Sequence, residues 1–310
     1  MKKSLTNIKK AQKILDMSEC VAIPTETVYG LAGNAYSDNA CKKIFKLKRR
    51  PRQNPLIVHY YDTKLLKKDC RFNNNFNKLF KNFCPGPITF VLNLRKGSKI
   101  SKFVTNNKKS LAVRFPKHSI TRNLLKRLEY PLAAPSANLF SKVSAVCSSD
   151  IIEDFGKKIK YILNGGKSSI GLESTIIDLR NKPQILRLGG LEISKIQKIL
   201  KRKIQLKTNP TIKSFPGQAK LHYSPGIPIR LNATKVKNNE AYILIKKAMK
   251  QKKNYFYISK NGNLKDAAKN LYSTFRKIKK KKYKSIAVIK IPNYGLGKTI
   301  NDRLIRASKY

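Results

Sequence analysis

Cys20-Val21-Ala22-Ile23-Pro24-Thr25-Glu26-Thr27-Val28-Tyr29-Gly30 begins as an apolar run, stops at proline and continues into hydroxyls and a carboxylate. Four apolar residues ended by a proline read as a short buried strand. Proline, threonine and glycine are ordinary loop residues, but Thr25, Glu26, Thr27 and Tyr29 together exceed what a turn requires, and they mark this strand end as a site. Two further blocks have the same character. Lys48-Arg49-Arg50 closes an apolar-periodic helix and is followed by Asn54-Pro55 and a strand, Leu56 to Tyr60, that carries His59. Pro135-Ser136-Ala137-Asn138 follows the strand Leu132-Ala133-Ala134, and extended backbone puts Ser136 and Asn138 on one face. Arg114 ends the apolar strand Leu111-Ala112-Val113, where a buried guanidinium calls for an anionic partner such as a substrate carboxylate or phosphate. Cations and neutral donors held beside apolar strands are what a pocket for a phosphorylated substrate needs.

Periodicity supplies the surrounding elements. Helices are predicted from Ser4 or Thr6 (with Ile8, Ala11, Ile14 and Leu15 on one face), from Asp38 to near Arg50, through Phe76, Leu79, Phe80 and Phe83, over Ile120 to Leu128, and over Ile193 to Leu200. Strands are predicted over Ile88 to Leu94 and around Ile162, Ile176 and Leu186. Several strands follow one another directly, which predicts an α/β protein with a twisted mixed sheet carrying helices rather than strict β-α-β repetition. From Leu206 to Ile227 proline, glycine, serine and asparagine break the pattern, so this segment reads as a linker, although it also carries Lys220-Leu221-His222-Tyr223. Beyond it, strands at Ala241–Ile245, Tyr255–Ile258 and Ile286–Ile291 alternate with helices at Leu264–Ile278 and Lys298–Ala307, a small α/β unit with a parallel sheet. Domains are therefore expected at 1–205, 206–227 and 228–310. The run Lys279-Lys280-Lys281-Lys282 reads as a solvated loop.

The formal charge of +52 comes from 68 Lys+Arg against 16 Asp+Glu in 310 residues. The lysines are spread over every segment, whereas a nucleic-acid patch clusters its charge, so compositional drift is the better explanation. Attraction to polyanions, weakened by salt, follows in either case. Five cysteines show no C-x-x-C pairing and three histidines lie far apart, which gives neither metal-site spacing nor a disulfide framework. This predicts reduced thiols and a cytoplasmic protein. No segment reaches the length of apolar sequence that spans a membrane.

The sequence holds no G-x-x-x-x-G-K-[ST], no G-x-G-x-x-G after the first strand, no paired carboxylates and no Ser-His-Asp order. A site with many donors and few bases suits a reaction in which the substrate brings the nucleophile. The protein then supplies position and charge stabilisation.

Taken together, these blocks resemble the YrdC-type family in its two-domain form, that of the threonylcarbamoyl-AMP synthases. The resemblance also rests on Pro85-Gly86-Pro87-Ile88-Thr89, Gly171-Leu172-Glu173-Ser174-Thr175-Ile176-Ile177-Asp178, Arg187-Leu188-Gly189, His222-Tyr223-Ser224-Pro225, Tyr294-Gly295-Leu296-Gly297 and Asn301-Asp302-Arg303-Leu304, in the expected order along nearly the whole chain. The Lys48-x-Arg50 and Ser136-x-Asn138 pairs are specific to the family, and the last blocks separate the two-domain form from the single-domain one. The resemblance implies a YrdC-like catalytic domain followed by a Rossmann-like C-terminal domain. It implies a nucleotidyltransferase that makes threonylcarbamoyl-AMP and pyrophosphate from L-threonine, bicarbonate and ATP, with Mg²⁺ accompanying the ATP. Other proteins use the product to modify tRNA, and contact with tRNA itself is left open. By motif, Thr27, His59, Arg114, Ser136 and Ser174 would hold threonine. Lys48, Arg50, Asn54, Ser110, Asn138, Ser144, Arg187 and Tyr223 would hold ATP, and Lys48, Arg50, Ser136 and Asn138 would serve catalysis. Tyr223 lies on the linker, which would then act as a lid. After Asn138 the family usually reads a small turn with Gly and Pro, whereas this chain reads Leu139-Phe140-Ser141-Lys142-Val143-Ser144-Ala145-Val146. Two rivals share the fold. One is a non-catalytic module for double-stranded RNA or tRNA. The other is a carbamoyltransferase, whose extra zinc-binding cysteine pairs this chain lacks.

Overall fold

The computed structural model describes residues 2–207, 222–249 and 252–309. Eleven strands form one mixed sheet. In chain order they are β1 (Val21–Ile23), β2 (Gly30–Asn34), β3 (Ile57–His59), β4 (Cys70–Arg71), β5 (Ile88–Leu94), β6 (Ser110–Arg114), β7 (Leu132–Ala133), β8 (Tyr161–Ile162), β9 (Thr175–Asp178), β10 (Gln184–Arg187) and β11 (Gln205–Leu206). Across the sheet the order is β11-β10-β9-β5-β6-β3-β7-β2-β1-β8, with β4 beside β5. The register decides where the polar strand ends meet. β3 runs parallel to β6 with His59 opposite Arg114. Antiparallel β5 puts Thr89 opposite Arg114, and parallel β9 puts Thr175 opposite Ile88. Gly30, at the start of β2, bridges Ser136. The blocks singled out in the sequence therefore converge at one end of the sheet.

The helices cover its faces. They are α1 (Lys2–Asp16), α2 (Asp38–Lys48), α3 (Thr63–Asp69), α4 (Asn74–Phe83), α5 (Lys102–Thr105), α6 (Ser119–Arg127), α7 (Ser148–Phe155) and α8 (Ile193–Leu200). Ser37 caps α2 by accepting from the Ala40 amide, and Arg49 ends it at φ 51°, in the left-handed region. That turn sends Arg50 back toward the sheet ahead of Pro51. Phe76, on α4, is fully buried and packs against Phe72, Phe80 and Phe90 at 4.7, 5.5 and 5.0 Å between ring centroids.

After the linker, β12 (Ile229–Arg230), β13 (Glu240–Leu244), β14 (Tyr255–Tyr257) and β15 (Ser285–Val288) form a second sheet, parallel throughout, in the order β12-β15-β13-β14. Helices α9 (Leu264–Lys280) and α10 (Leu296–Ala307) pack with it. The lysine run is only half loop. Lys279 and Lys280 complete the last turn of α9, where positive charge suits the helix dipole, and Lys281 and Lys282 follow it. Lys220 and Leu221 lie outside the described residues. No described helix is long and apolar enough to cross a membrane.

The second unit is joined to the first by a shared apolar core. Val28, Val143, Val146 and Leu172 pack in one cluster with Leu271, Tyr272, Phe275 and Leu304. Gly171, at φ +75°, lets the loop before β9 touch α9, since a Cβ there would lie 2.6 Å from the Lys269 carbonyl oxygen. Arg276 of α9 pairs with Asp154 of α7 at 2.8 Å and donates to the Val143 carbonyl.

Truncating Phe76 to alanine should cost about 3–5 kcal/mol, the usual range for a buried aromatic. Equilibrium urea unfolding checks this. A loss below about 1 kcal/mol would show that the aromatic cluster does not support the sheet.

Candidate functional site

At the converging strand ends lies a cavity lined by three guanidiniums, Arg50, Arg114 and Arg187, together with His59, Ser136, Ser174, Glu173 and His222. All three arginines are buried, but their partners differ. Arg114 pairs with Glu26 at 2.8 Å. Arg50 donates only to the carbonyls of Asn54 and Pro55, at 3.2 and 3.1 Å. Arg187 donates to the carbonyl and hydroxyl of Ser174 at 2.9–3.1 Å. Among the described residues neither Arg50 nor Arg187 has a carboxylate in ion-pair range. Burial, and then repulsion from Arg187, pushes Arg50 down to about 10. Such a pair of desolvated cations favours an incoming anion strongly.

Hydroxyls line and back the cavity. The hydroxyls of Thr25 and Thr27 lie 2.8 Å apart, and those of Thr89 and Ser174 2.7 Å apart. Lys48 is buried under the loop after β7, where its ammonium donates to the carbonyls of Ser136 (2.5 Å) and Asn138. Burial, and then Arg50, holds its pKa well below that of a free lysine. Asn138 in turn ties that loop by donating to Leu139 and Lys142. Six buried polar atoms around the cavity have no partner among the described residues: Asn54 Oδ1, His59 Nδ1, Arg114 Nε, Asn138 Oδ1, His222 Nδ1 and Tyr223 Oη. Buried polar groups are almost always satisfied, so a cluster of orphans marks where a polar ligand docks.

On the cavity wall Glu173 gathers partners from both units. It accepts from Ser144 at 2.6 Å, from Tyr272 of α9 at 3.0 Å and from Arg303 of α10 at 2.9 Å. Burial alone would raise its pKa, but Arg303 and Arg187 outweigh that and hold it at about 2. Gly189 allows the end of β10 to lie against this strand start, since a Cβ there would sit 2.3 Å from the backbone of Ser174 and Thr175.

The residues expected at the site fall into three groups. Arg50, His59, Arg114, Ser136, Ser174 and Arg187 line the cavity. Lys48, Thr27, Asn54, Asn138, Ser144 and Tyr223 are buried in the hydrogen-bonded and aromatic shell around it. Ser110, at the far end of β6 from Arg114, lines a separate recess with Pro55, Leu56 and Ala112. One expectation needs correction. Arg114 already has an anionic partner within the fold, Glu26 from the first block, where the sequence suggested only a substrate anion. The scarcity of acids read near the motifs is likewise only apparent, since Glu26 and Glu173 both stand at the site. The sequence reading also missed Phe140, whose ring faces Arg50 at 5.9 Å and His222 at 6.3 Å. It gave no role to Arg303. Both lay inside quoted segments, but nothing local signals a partner far away in sequence.

Fold and site together define an enzyme-like α/β protein of the YrdC-type class. Two family models match the chain: Sua5_yciO_yrdC, described as "Telomere recombination", over residues 13–189, and Sua5_C, described as "Threonylcarbamoyl-AMP synthase, C-terminal domain", over residues 191–309. The threonylcarbamoyl-AMP synthase of Pyrococcus abyssi is 34% identical, with 98% of this chain and 94% of that protein covered. The threonylcarbamoyl-AMP synthase of Bacillus subtilis is 30% identical, with 97% and 92% covered. The crystal structure of P. abyssi Sua5 complexed with L-threonine matches with a TM-score of 0.89 at 32% identity, over 98% of this chain and 94% of that one. The chain belongs to the two-domain Sua5 family of threonylcarbamoyl-AMP synthases.

Burial lowers both His59 and His222 to about 3. The unfolded chain, with histidines near 6.5, then binds more protons between pH 3 and 6.5, so stability is complete above pH 6.5 and falls as the solution is acidified. Each histidine should cost about 2 kcal/mol between pH 7 and pH 5. Urea midpoints at the two pH values test this, and His222→Gln should reduce the drop; an equal drop in the variant would contradict the assignment.

Proposed function

We infer that the protein forms threonylcarbamoyl-AMP and pyrophosphate from L-threonine, bicarbonate and ATP, supplying the threonylcarbamoyl group for tRNA modification. The observation that carries this reading is the pair Arg50 and Arg187, buried at one cavity without a carboxylate partner. A polyphosphate supplies the missing charge at that place.

In this reading threonine lies against Thr27, His59, Arg114, Ser136 and Ser174, and its carboxylate shares the Arg114 guanidinium with Glu26. The complex of the P. abyssi relative with L-threonine supports threonine as a substrate. The amine nitrogen attacks the carbon of bicarbonate, a C–N bond forms, a C–O bond breaks, and water leaves to give N-carboxythreonine. A carbamate oxygen then attacks the α-phosphorus of ATP, the bond from that phosphorus to the bridging oxygen breaks, and its electrons leave with pyrophosphate. The substrate is itself the nucleophile, so no protein base is needed at this step. Arg50 and Arg187 hold the charge that develops on the phosphates. Asn54, Asn138, Ser144 and Tyr223 complete the ATP side, while Ser110, in its separate recess, has no contact with it. Lys48 acts by fixing the Ser136–Asn138 loop. The neutral His222 and the buried Tyr223 keep water from the closed site.

Mg²⁺ remains a companion of the ATP phosphates. Among the described residues no group of three His, Cys, Asp or Glu could cage a metal ion, and the nearby carboxylates Glu26 and Glu173 already hold arginines.

Purified protein given ATP, threonine and bicarbonate should release pyrophosphate only when all three are present. Release without threonine, or none at all, would remove the assignment. Arg50→Ala should lower kcat/KM by about 100-fold or more while the fold survives, as judged by circular dichroism. Retained turnover would contradict its role.

A further inference from the structure

Arg303 reaches the site from α10, in the C-terminal unit, and is fully buried. Its Nε donates to Glu173 Oε2 at 2.9 Å, and one Nη donates to the Leu188 carbonyl, just after β10, at 2.6 Å. The other Nη pairs with its own neighbour Asp302. The face of the guanidinium lies 4.7 Å from the ring of Tyr223, which also stacks on Tyr272 at 5.8 Å. One side chain of the second unit thus touches the carboxylate on the cavity wall, the strand end that bears Arg187, and the linker residue at the cavity.

We propose that Arg303 is a positioning residue through which the C-terminal unit shapes the ATP side of the cavity, by neutralising Glu173 and by carrying the Tyr223 ring. This deepens the function proposed above and rests on its assignment of Arg187 and Tyr223 to ATP. Without Arg303, Glu173 would have only Arg187 as a buried counter-charge. Arg187 would then swing from Ser174 toward Glu173 and be withdrawn from the phosphates. Without the planar face, Tyr223 would lose its seat even where the charge is kept. The threonine side, built on Arg114, Glu26 and His59, would be untouched. The groups facing Glu173 are Ser144 from its loop, Arg187 from β10, His222 and Tyr223 from the linker, Tyr272 from α9, and Arg303 with Asp302 from α10.

Three variants separate positioning from simple structural support. Arg303→Lys keeps the charge and loses the fork and the flat face. Calorimetry should show the Kd for ATP weakened roughly tenfold, the size of a desolvated cation–π contact, with the Kd for threonine within about twofold. Arg303→Met leaves Glu173 without its main partner, so its carboxyl titrates upward toward neutral pH. Its activity relative to wild type should fall about tenfold from pH 6 to pH 8, as the carboxylate ionises and draws Arg187 away, an alkaline limb absent from the wild type. In Arg303→Met/Glu173→Gln that limb should vanish, and activity at pH 8 should exceed that of the single variant. Thermal melting reports whether each variant folds. If Arg303→Met does not, the Kd split in Arg303→Lys decides alone. An unchanged ATP Kd in Arg303→Lys, a pH-flat ratio in a folded Arg303→Met, or a double variant no better than the single overturns the proposal. A wild type that neither binds ATP nor turns over removes the functional reading and this inference together. A wild type that does both, beside a lysine variant that binds ATP normally, removes the inference alone.

Discussion

Burying positive charge where water cannot reach it is the constraint on which this structure depends. Arg50, Arg114, Arg187, Arg303 and Lys48 are all buried around one strand end, with Glu26 and Glu173 as the adjacent buried carboxylates. An uncompensated buried cation costs several kcal/mol, so each needs either an acid or a set of carbonyls. Arg114 and Arg303 take the acids. Arg50, Arg187 and Lys48 make do with carbonyls and a hydroxyl, which satisfy their hydrogen bonds but not their charge. Folding therefore leaves the cavity electrostatically unfinished, and in the proposed function an anionic substrate completes it.

This arrangement explains why the chain needs two sheets. The large sheet brings the polar strand ends together by register, with His59 opposite Arg114 and Thr89 beside it. It does not close the space beneath Glu173. That is done by α9 and α10 through Tyr272 and Arg303, on an apolar core that includes Val28, Val143 and Leu172 from the first unit. The linker then seats Tyr223 between the two, so that charge, packing and closure meet at the same few residues.

Much of this was legible in the sequence, and for identifiable reasons. Strands such as Ile88–Leu94 and helices such as Ile193–Leu200 follow from local periodicity alone. The cavity residues His59, Arg114 and Ser136 were legible because each ends or follows an apolar strand, and Arg50 because it closes an apolar-periodic helix ahead of one. β2 was not, because Gly30 and Gly33 carry no side chain to signal a strand; a Cβ at Gly30 would lie 3.3 Å from that of Ala134, and one at Gly33 3.2 Å from Ile44 Cδ1. α7 was missed as well, though its Cys147–Asp150 capping box is present. The Arg114–Glu26 and Arg303–Glu173 pairs join residues 88 and 130 positions apart. Only the sheet register and the docking of α10 create them, and neither leaves a local trace. The Phe140 contact lies in the very segment that departs from the family pattern, so the resemblance could not supply it.

The most direct measurement is a crystal structure of the full chain with L-threonine and a non-hydrolysable ATP analogue. The account predicts both in the one cavity, with phosphate oxygens within hydrogen-bond distance of Arg50 and Arg187 and the amino acid beside Arg114 and His59. A nucleotide seated elsewhere, such as the groove between Tyr36, Lys68 and Tyr130, with Arg50 and Arg187 still bound only to their carbonyls, would contradict it.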